Sequence, residues 1–478
     1  MTQTITRYPL QTEGIRGSGL FQDVTSPYSE EVLAQVEQAD SAAIESGISL
    51  AAETFEKVMK KMPPYRRAEI LENLASQMKV RHEELSLIIA REGGKPLTDA
   101  RIEVSRAINT VKLSAHEAVQ LDGEQQAMGT TAGNENKLSF TIREPIGVVS
   151  SISAFNHPVN LIAHQVAPPI AAGNTVLLKP SGDTPISALK MGEMLTNAGL
   201  PDGVLTILPC DRSVAEKLAV DERVNYLSFI GSARVGWHLR RSVADGTRVG
   251  LEHGGNAPAI IEPDANLEAA AKMCLKGGYY HAGQVCVSVQ RLYLHRSIFE
   301  RFVEMFKPMV ESLVVGDPTS PETDVGPLIR PREVERVSRW VQHAVEGGAE
   351  VITGGQTLDH NCYAPTLLTN ARPGMDVVDK EIFGPVICLF SYDDLDQVID
   401  AANAGPYGFQ AAIFTKDIAT AFHAARELDF TAVMINDSTA FRVDWMPFGG
   451  RYESGLGMGG VKYAIHEMTH PKLIVLNL

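Results

Sequence analysis

Residues 173–208 read GNTVLLKPSGDTPISALKMGEMLTNAGLPDGVLTIL. A β-rich apolar run from Thr175 to Leu178 stops at Lys179-Pro180, a helical segment covers Ala188 to Asn197, and a second β-rich run covers Val204 to Leu208. Short, continuously apolar strands alternating with helices are what a parallel sheet covered on both faces requires. The rhythm continues outward from Gly147 to about Gly250, and a second alternating block runs from Ala257 to about Phe448. The fold class is therefore α/β and doubly wound, with a site between two such units. From about Ser29 to His116 the period is mostly helical, with Pro63-Pro64 separating two long helices and Gly93-Gly94 breaking the second. Between Val119 and Ile142 the pattern becomes polar and strand-like, with Gly129 and Gly133 near a turn, which predicts a protruding hairpin. No internal repeat is visible.

Composition narrows the function classes. A chain of 478 residues implies two or three domains. Its formal charge of −15 excludes a broad nucleic-acid-binding surface, so any cationic site must be local. Met1 to Arg7 lack the apolar core of a signal peptide, and no run is long enough to span a bilayer. A cytoplasmic location without a membrane partner is expected. The five cysteines form an odd set without paired short spacing, which predicts reduced thiols and neither a disulfide scaffold nor a zinc ribbon.

Four stretches carry chemistry. His281-Ala282-Gly283-Gln284-Val285-Cys286-Val287-Ser288 sets one cysteine behind a glycine and among small or β-branched residues. This suits an accessible nucleophile as well as a buried, inert thiol. Leu251-Glu252-His253-Gly254-Gly255 places a carboxylate before a Gly-Gly turn, where it is either a desolvated base or a solvated loop residue. Glu144-Pro145-Ile146-Gly147-Val148-Val149 reads as a buried strand running into Ser153-Ala154-Phe155-Asn156-His157-Pro158. The Asn156 amide could donate to an oxyanion, a contact whose loss typically costs about 3 kcal/mol in the barrier. Gly231-Ser232-Ala233-Arg234-Val235-Gly236 follows the strand-like Val224 to Phe229 and precedes a helix over Val235 to Val243, whose amino end could receive a pyrophosphate. Alone, such a turn is more often a simple chain reversal.

Together with Gly173 to Ser181, Glu381-Ile382-Phe383-Gly384-Pro385-Val386 and Pro447-Phe448-Gly449-Gly450, these stretches resemble the aldehyde dehydrogenase superfamily over nearly the whole chain, with seven motifs in the family's order. The resemblance implies a Rossmann-like dinucleotide-binding domain (1–120 and 143–252), an α/β catalytic domain (253–458) and a small β oligomerisation element (121–142 and 459–478), assembled as a homodimer or homotetramer. It implies Cys286 as nucleophile, Asn156 and the Cys286 backbone N–H as oxyanion donors, and Glu252 as the base that activates water against a thioester after hydride has passed to a nicotinamide. It also implies that Ser232 meets the pyrophosphate, Lys179 the adenosine ribose and Glu381 the nicotinamide ribose, with Phe383 beside the nicotinamide ring and Ser153 and Gly231 among the other cofactor-binding residues.

Two departures refine this. Many NAD-preferring relatives carry a glutamate where Gly182 stands. A glycine there removes both a ribose contact and the barrier to a 2′-phosphate, so NAD or NADP use is expected, with Ser181 a phosphate ligand and Asp183 a partial substitute for the missing acid. In the substrate tunnel, Arg106, His157 and Arg442 stand where relatives acting on apolar aldehydes carry Met or aromatic residues. Two permanent cations and an imidazole able to gain charge point to a small aldehyde with an anionic tail. The bland alternative is that Arg106 lies on a solvated helix face and Arg442 pairs with Asp444. The cluster resembles that of phosphonoacetaldehyde-type dehydrogenases, which makes a phosphonoaldehyde the first expectation. Lactaldehyde, glyceraldehyde 3-phosphate, sulfo-aldehydes and succinate semialdehyde are the alternatives. His164 and Tyr280 stand where succinate-semialdehyde enzymes carry arginines, which counts against that last substrate.

His466-Glu467-Met468-Thr469-His470 matches a zinc-hydrolase pattern. Pro471 follows at once and a terminal strand comes next, so no metal is expected. An inactive structural protein is disfavoured because Cys286, Glu252 and Asn156 are all present. The Leu473 to Leu478 strand and the 119–142 hairpin suit pairing with another subunit.

Overall fold

A computed structural model describes residues 5–12 and 14–478. Four of the seven residues that suggested the lack of a leader, residues 1–4, lie outside them. Two large sheets dominate. The six-stranded sheet runs in the order Gly455–Leu456, Arg248–Glu252, Val224–Ile230, Val148–Ile152, Thr175–Lys179, Leu205–Ile207. All its neighbours are parallel except the Gly455–Leu456 edge. From Val148–Ile152 the chain winds one way through Thr175 and Leu205, then returns to start the other half at Val224. The carboxyl ends at this switch point carry Ser153, Lys179, Gly231 and Glu252, and a crevice at such a place is where α/β sheets bind ligands.

The second sheet has seven strands, in the order Glu350–Thr353, Thr366–Thr369, Val386–Tyr392, Arg291–His295, Pro258–Ile261, Gln410–Phe414, Ala432–Ile435. Only Glu350–Thr353 pairs antiparallel. Pro258–Ile261 is wholly buried, as the continuous apolar run requires. The helices that cover the six-stranded sheet pack Ile70, Leu71, Leu74 and Met78 against Val104, Ile162, Ile170 and Met194. Each such side chain removed from water contributes about 1.5–3 kcal/mol.

The helical reading of 29–116 needs one correction. Val32–Glu37 is a strand, parallel to Thr6–Tyr8 and antiparallel to Phe21–Thr25. Its burial of Ala34 and Val36 has a period of two, and six residues are too few for that to show against the helices beyond. Of those helices, Ser41–Lys57, Pro64–Val80, His82–Gly93 and Leu97–Ala118, the breaks before Pro64 and after Gly93 fall where expected, with Gly94 at φ +70° closing the third in a left-handed cap, whereas the break at Arg81 divides what reads as one long helix. In the 119–142 region, Gln125–Gln126 pairs antiparallel with Lys137–Pro145, whose other edge pairs with Thr469–Asn477 along its whole length.

The histidine pair of the zinc-like motif is divided between two elements. His466 lies in the short helix Val461–Glu467, whereas His470 lies on the strand after it, where its Nδ1 meets Arg248 Nη2 at 2.8 Å. The two imidazoles therefore do not share a helix face. Among the described residues, no helix is long and apolar enough to cross a membrane.

Candidate active site

The cysteine loop is held by backbone conformation before side chains matter. After the helix Leu267–Tyr279, His281, Ala282 and Gly283 take φ of 49°, 55° and 69°. Left-handed residues in succession reverse the chain sharply, at a conformational cost for the two that are not glycine. At Gly283 a Cβ would stand 2.1 Å from the Gly384 carbonyl oxygen, so no other residue fits. Gln284, buried, then fixes the loop: its Nε2 donates to the carbonyls of His281 (3.3 Å) and Pro327 (3.2 Å), and its Oε1 accepts from Ile329 N–H at 3.0 Å. On the far side Thr439 Oγ1 donates to the Val287 carbonyl at 2.6 Å. Cys286 emerges half-buried beside Val285, Val287, Phe409 and Phe448. Burial pushes its thiol up to about 12; Arg442 pulls the other way, while Glu252 and Glu381 add to the rise.

Asn156 Nδ2 donates to the Gln284 carbonyl at 2.9 Å, two residues before the nucleophile. An amide nitrogen carries two hydrogens, so the bond that orients this group leaves one for an oxyanion near Cys286. Glu252 closes the strand Arg248–Glu252. Its carboxyl rests on the α-carbon of Gly459, where a Cβ would lie 2.5 Å from Oε1. Burial raises its proton affinity, tempered by Arg442. A weak, partly desolvated acid beside a thiol is able to take that thiol's proton.

The crevice along the six-stranded sheet fits a dinucleotide. Ser153 Oγ and Glu381 Oε1 are buried without a hydrogen-bond partner, which suits groups that would meet a sugar or amide. Burial pushes Glu381 up to about 8, with Arg336 and a backbone N–H opposing. Its Oε1 would lie 1.6 Å from a Cβ at residue 254, so Gly254 is required for the carboxyl to be there at all. Phe383, at φ 46°, packs edge-on to Phe155 at 6.0 Å. Ser232 precedes the helix Ala233–Ser242 without capping it, which leaves that helix's first N–H groups open to a phosphate. Gly231 lies against the Phe229 ring. Lys179 Nζ donates to the Pro180 carbonyl at 3.1 Å; burial lowers its affinity for a proton, as does Arg212 nearby, while Cys210 works the other way.

Position 182 is open space: a Cβ there would meet nothing within 4 Å. Asp183 cannot stand in for the missing acid as expected, because Arg330 holds both of its oxygens at 2.5 and 2.6 Å. Ser181 Oγ makes two long contacts with Asp183, donating to Oδ2 at 3.4 Å and accepting from the backbone N–H at 3.3 Å, and remains usable by a phosphate.

A cavity of about 370 Å³, open to solvent, lies between the Arg106 turn of helix Leu97–Ala118 and the 442–445 loop. Arg106 is not on a solvated face. It grips Asp444 through Nη2 (2.9 Å) and Nε (3.4 Å). Nor does Arg442 pair with Asp444. Its guanidinium lies 3.5 Å from the centre of the Phe448 ring, its Nη2 is 3.3 Å from His164 Nε2, and its Nε is buried without a partner. His164 meets Asp444 at 3.0 Å, and burial brings it down to about 4. His157 hydrogen bonds to the Tyr280 hydroxyl at 2.9 Å. It is not the expected third cation: burial first, then Lys95, His281, Arg106 and Arg442, hold it neutral.

The structure thus gathers Cys286, Asn156, Glu252 and Arg442 at one end of the crevice that holds the cofactor candidates. Gln284, Tyr280 and Asp444 also belong there, while Arg212 stands near Lys179. Gln284 and Tyr280 flank Cys286 in the sequence, but nothing in their spacing reveals carbonyl anchoring or a bond to His157.

The same architecture recurs among known proteins. The aldehyde dehydrogenase family profile matches residues 16–474. The 3-sulfolactaldehyde dehydrogenase of Priestia megaterium is 42% identical over 457 residues, 95% of each chain. The crystal structure of aldehyde dehydrogenase 21 from Physcomitrella patens, in complex with its reaction product succinate, superposes with a TM-score of 0.96 at 36% identity, covering 99% of both chains. That of glyceraldehyde-3-phosphate dehydrogenase GapN from Methanocaldococcus jannaschii, complexed with NADP, has a TM-score of 0.92 at 38% identity and covers 96% of this chain and 100% of the other. The chain belongs to the aldehyde dehydrogenase family, oxidoreductases that work with NAD or NADP.

Proposed function

We propose that this enzyme oxidises a small aldehyde with an anionic tail to the carboxylic acid through a thioester on Cys286. One observation carries the substrate class: the Arg442 guanidinium, with no carboxylate partner among the described residues, stands beside Arg106 at that cavity and close enough to Cys286 to lower its proton affinity. Glu252 takes the thiol proton, Cys286 Sγ attacks the carbonyl carbon, and Asn156 with the Cys286 N–H receives the oxyanion. The bound nicotinamide supplies the hydride acceptor. After Glu252 has released that proton to solvent, it deprotonates the water that cleaves the thioester and passes this second proton to the departing thiolate, releasing the acid and returning the thiol.

Arg106 and Arg442, with His157 as a neutral hydrogen-bonding group, receive the tail. Phosphonoacetaldehyde and sulfo-aldehydes are the first candidates, since both tails are tetrahedral anions suited to arginine forks. The similarity to a sulfolactaldehyde dehydrogenase raises the second. For the cofactor we assign Ser153, Lys179, Ser181, Gly231, Ser232, Glu381 and Phe383, and add Arg212. The open space at Gly182 favours acceptance of NADP. Residues 1–120 and 143–252 serve as the dinucleotide-binding domain, 253–458 as the catalytic domain, and 121–142 with 459–478 as the oligomerisation element of a cytoplasmic homodimer or homotetramer.

The test is kcat/KM for phosphonoacetaldehyde, sulfolactaldehyde, glyceraldehyde 3-phosphate, lactaldehyde and succinate semialdehyde, each with NAD and NADP. A preference for uncharged lactaldehyde overturns the tail assignment; a strong NAD preference overturns the reading of Gly182.

A further inference from the structure

The tail site has a definite charge. Three guanidiniums line the cavity, Arg101, Arg106 and Arg442, of which Arg101 is neutralised by its ion pair with Glu83, and one carboxylate, Asp444, is built into it. Asp444 has no freedom to leave: its side chain is 2% exposed and accepts from Arg106, from His164 at 3.0 Å and from Asn160 Nδ2 at 3.4 Å, while its carbonyl accepts from Val461 N–H at 3.4 Å. The lysines closest to Tyr280 do not add to the count, because Lys95 is ion-paired with buried Glu103 and Lys276 with buried Asp99. Both histidines of the cluster are neutral. The sum is one positive charge.

We propose that Asp444 sets the tail site to a single positive charge, so that the enzyme selects aldehydes whose tail is a monoanion, a sulfonate in preference to a phosphonate. This rests on the anionic-tail reading and narrows it. Sulfonate and phosphonate have the same tetrahedral outline and three terminal oxygens, so a cavity cannot separate them by shape. Charge can. A sulfonate carries one negative charge at any working pH, whereas a phosphorus oxyacid with a second pKa of about 6 is mostly dianionic above neutrality. A monoanion neutralises the site. A dianion leaves an unpaired negative charge beside a carboxylate that cannot rotate away, and such like-charge contacts are disfavoured.

The test uses the purified full-length enzyme at pH 8 and three aldehydes of one shape: sulfoacetaldehyde, phosphonoacetaldehyde and the neutral methylsulfonylacetaldehyde. Expected is a kcat/KM for the sulfonate at least tenfold above the phosphonate, with the neutral sulfone lowest. In Asp444→Asn, which keeps the shape and raises the site by one charge, the sulfonate-to-phosphonate ratio should fall at least tenfold. A wild-type enzyme that prefers the phosphonate, or a variant in which both rates move together, overturns the role of Asp444 and leaves the anionic-tail reading standing. If the sulfone is used as well as either anion, that broader reading fails instead. Should Asp444→Asn not fold, inhibition of the unaltered enzyme decides: methanesulfonate is expected to compete at least tenfold more tightly than methylphosphonate, and the reverse order refutes the proposal.

Discussion

Burial decides the chemistry of the groups that must exchange a proton. It pushes the Cys286 thiol up to about 12 and raises Glu252 as well, so the resting pair is a thiol beside a carboxyl of enhanced basicity. Arg442 favours the charged form of both. Replacing it with Gln should therefore move the rising limb of the kcat/KM profile, and the pH dependence of Cys286 alkylation by iodoacetamide, to higher pH. The same variant removes a charged contact to the tail, worth about 1.5–3 kcal/mol. An anionic aldehyde should lose roughly tenfold to a hundredfold in kcat/KM, and a neutral aldehyde much less. Cys286→Ala should abolish dehydrogenase turnover while leaving cofactor binding, followed by fluorescence quenching, close to that of the parent.

The elements that deliver these groups depend on a few positions with no tolerance. In Gly283→Ala, the new methyl would meet the Gly384 carbonyl at 2.1 Å in a backbone already at φ 69°. Such overpacking with strain costs about 2–4 kcal/mol, so a lowered melting temperature together with a large loss of kcat is expected. Glu92 serves a neighbouring element. Buried, it accepts from the N–H groups of Ile186 and Ser187 at 2.9 Å and so caps the helix Pro185–Asn197, which follows the Lys179 loop. Burial pushes it up to about 7 from 4.5. A folded-state value above the unfolded one gives stability that is complete below pH 4.5 and is lost as pH rises through 7. The span corresponds to about 3 kcal/mol. The difference in melting temperature between Glu92→Gln and the parent should thus change steadily in the variant's favour from pH 5 to pH 8; a constant difference would refute this account.

At the scale of the whole molecule, the sheet formed by Thr469–Asn477, Lys137–Pro145 and Gln125–Gln126 exposes Leu138, Phe140, Ile142 and Leu476, and among the described residues Thr469–Asn477 leaves one edge unpaired. An apolar sheet with a free edge is a site for another strand. With Phe140→Asp and Leu476→Asp combined, light scattering should report the 51.9 kDa monomer in place of an oligomer, whereas an unchanged mass would remove this sheet from the interface. By itself, the sequence determined the alternating α/β architecture, the strand ends that carry Lys179 and Gly231, and the loop that carries Cys286. Those depend on local periodicity and on glycines whose backbone roles are written in their neighbours. Val32–Glu37 escaped it because six residues of period two are a weak signal beside long helices. Tertiary structure alone decided which cation meets which anion. Arg442 and Asp444 are two residues apart, yet Asp444 bonds to Arg106, 338 positions earlier in the chain, and to His164, leaving Arg442 over Phe448. Burial likewise turned His157 from an expected cation into a neutral partner of Tyr280, and Arg330 claimed Asp183. Ion pairing and desolvation are set by distance and enclosure in space, quantities that a linear order of residues does not carry.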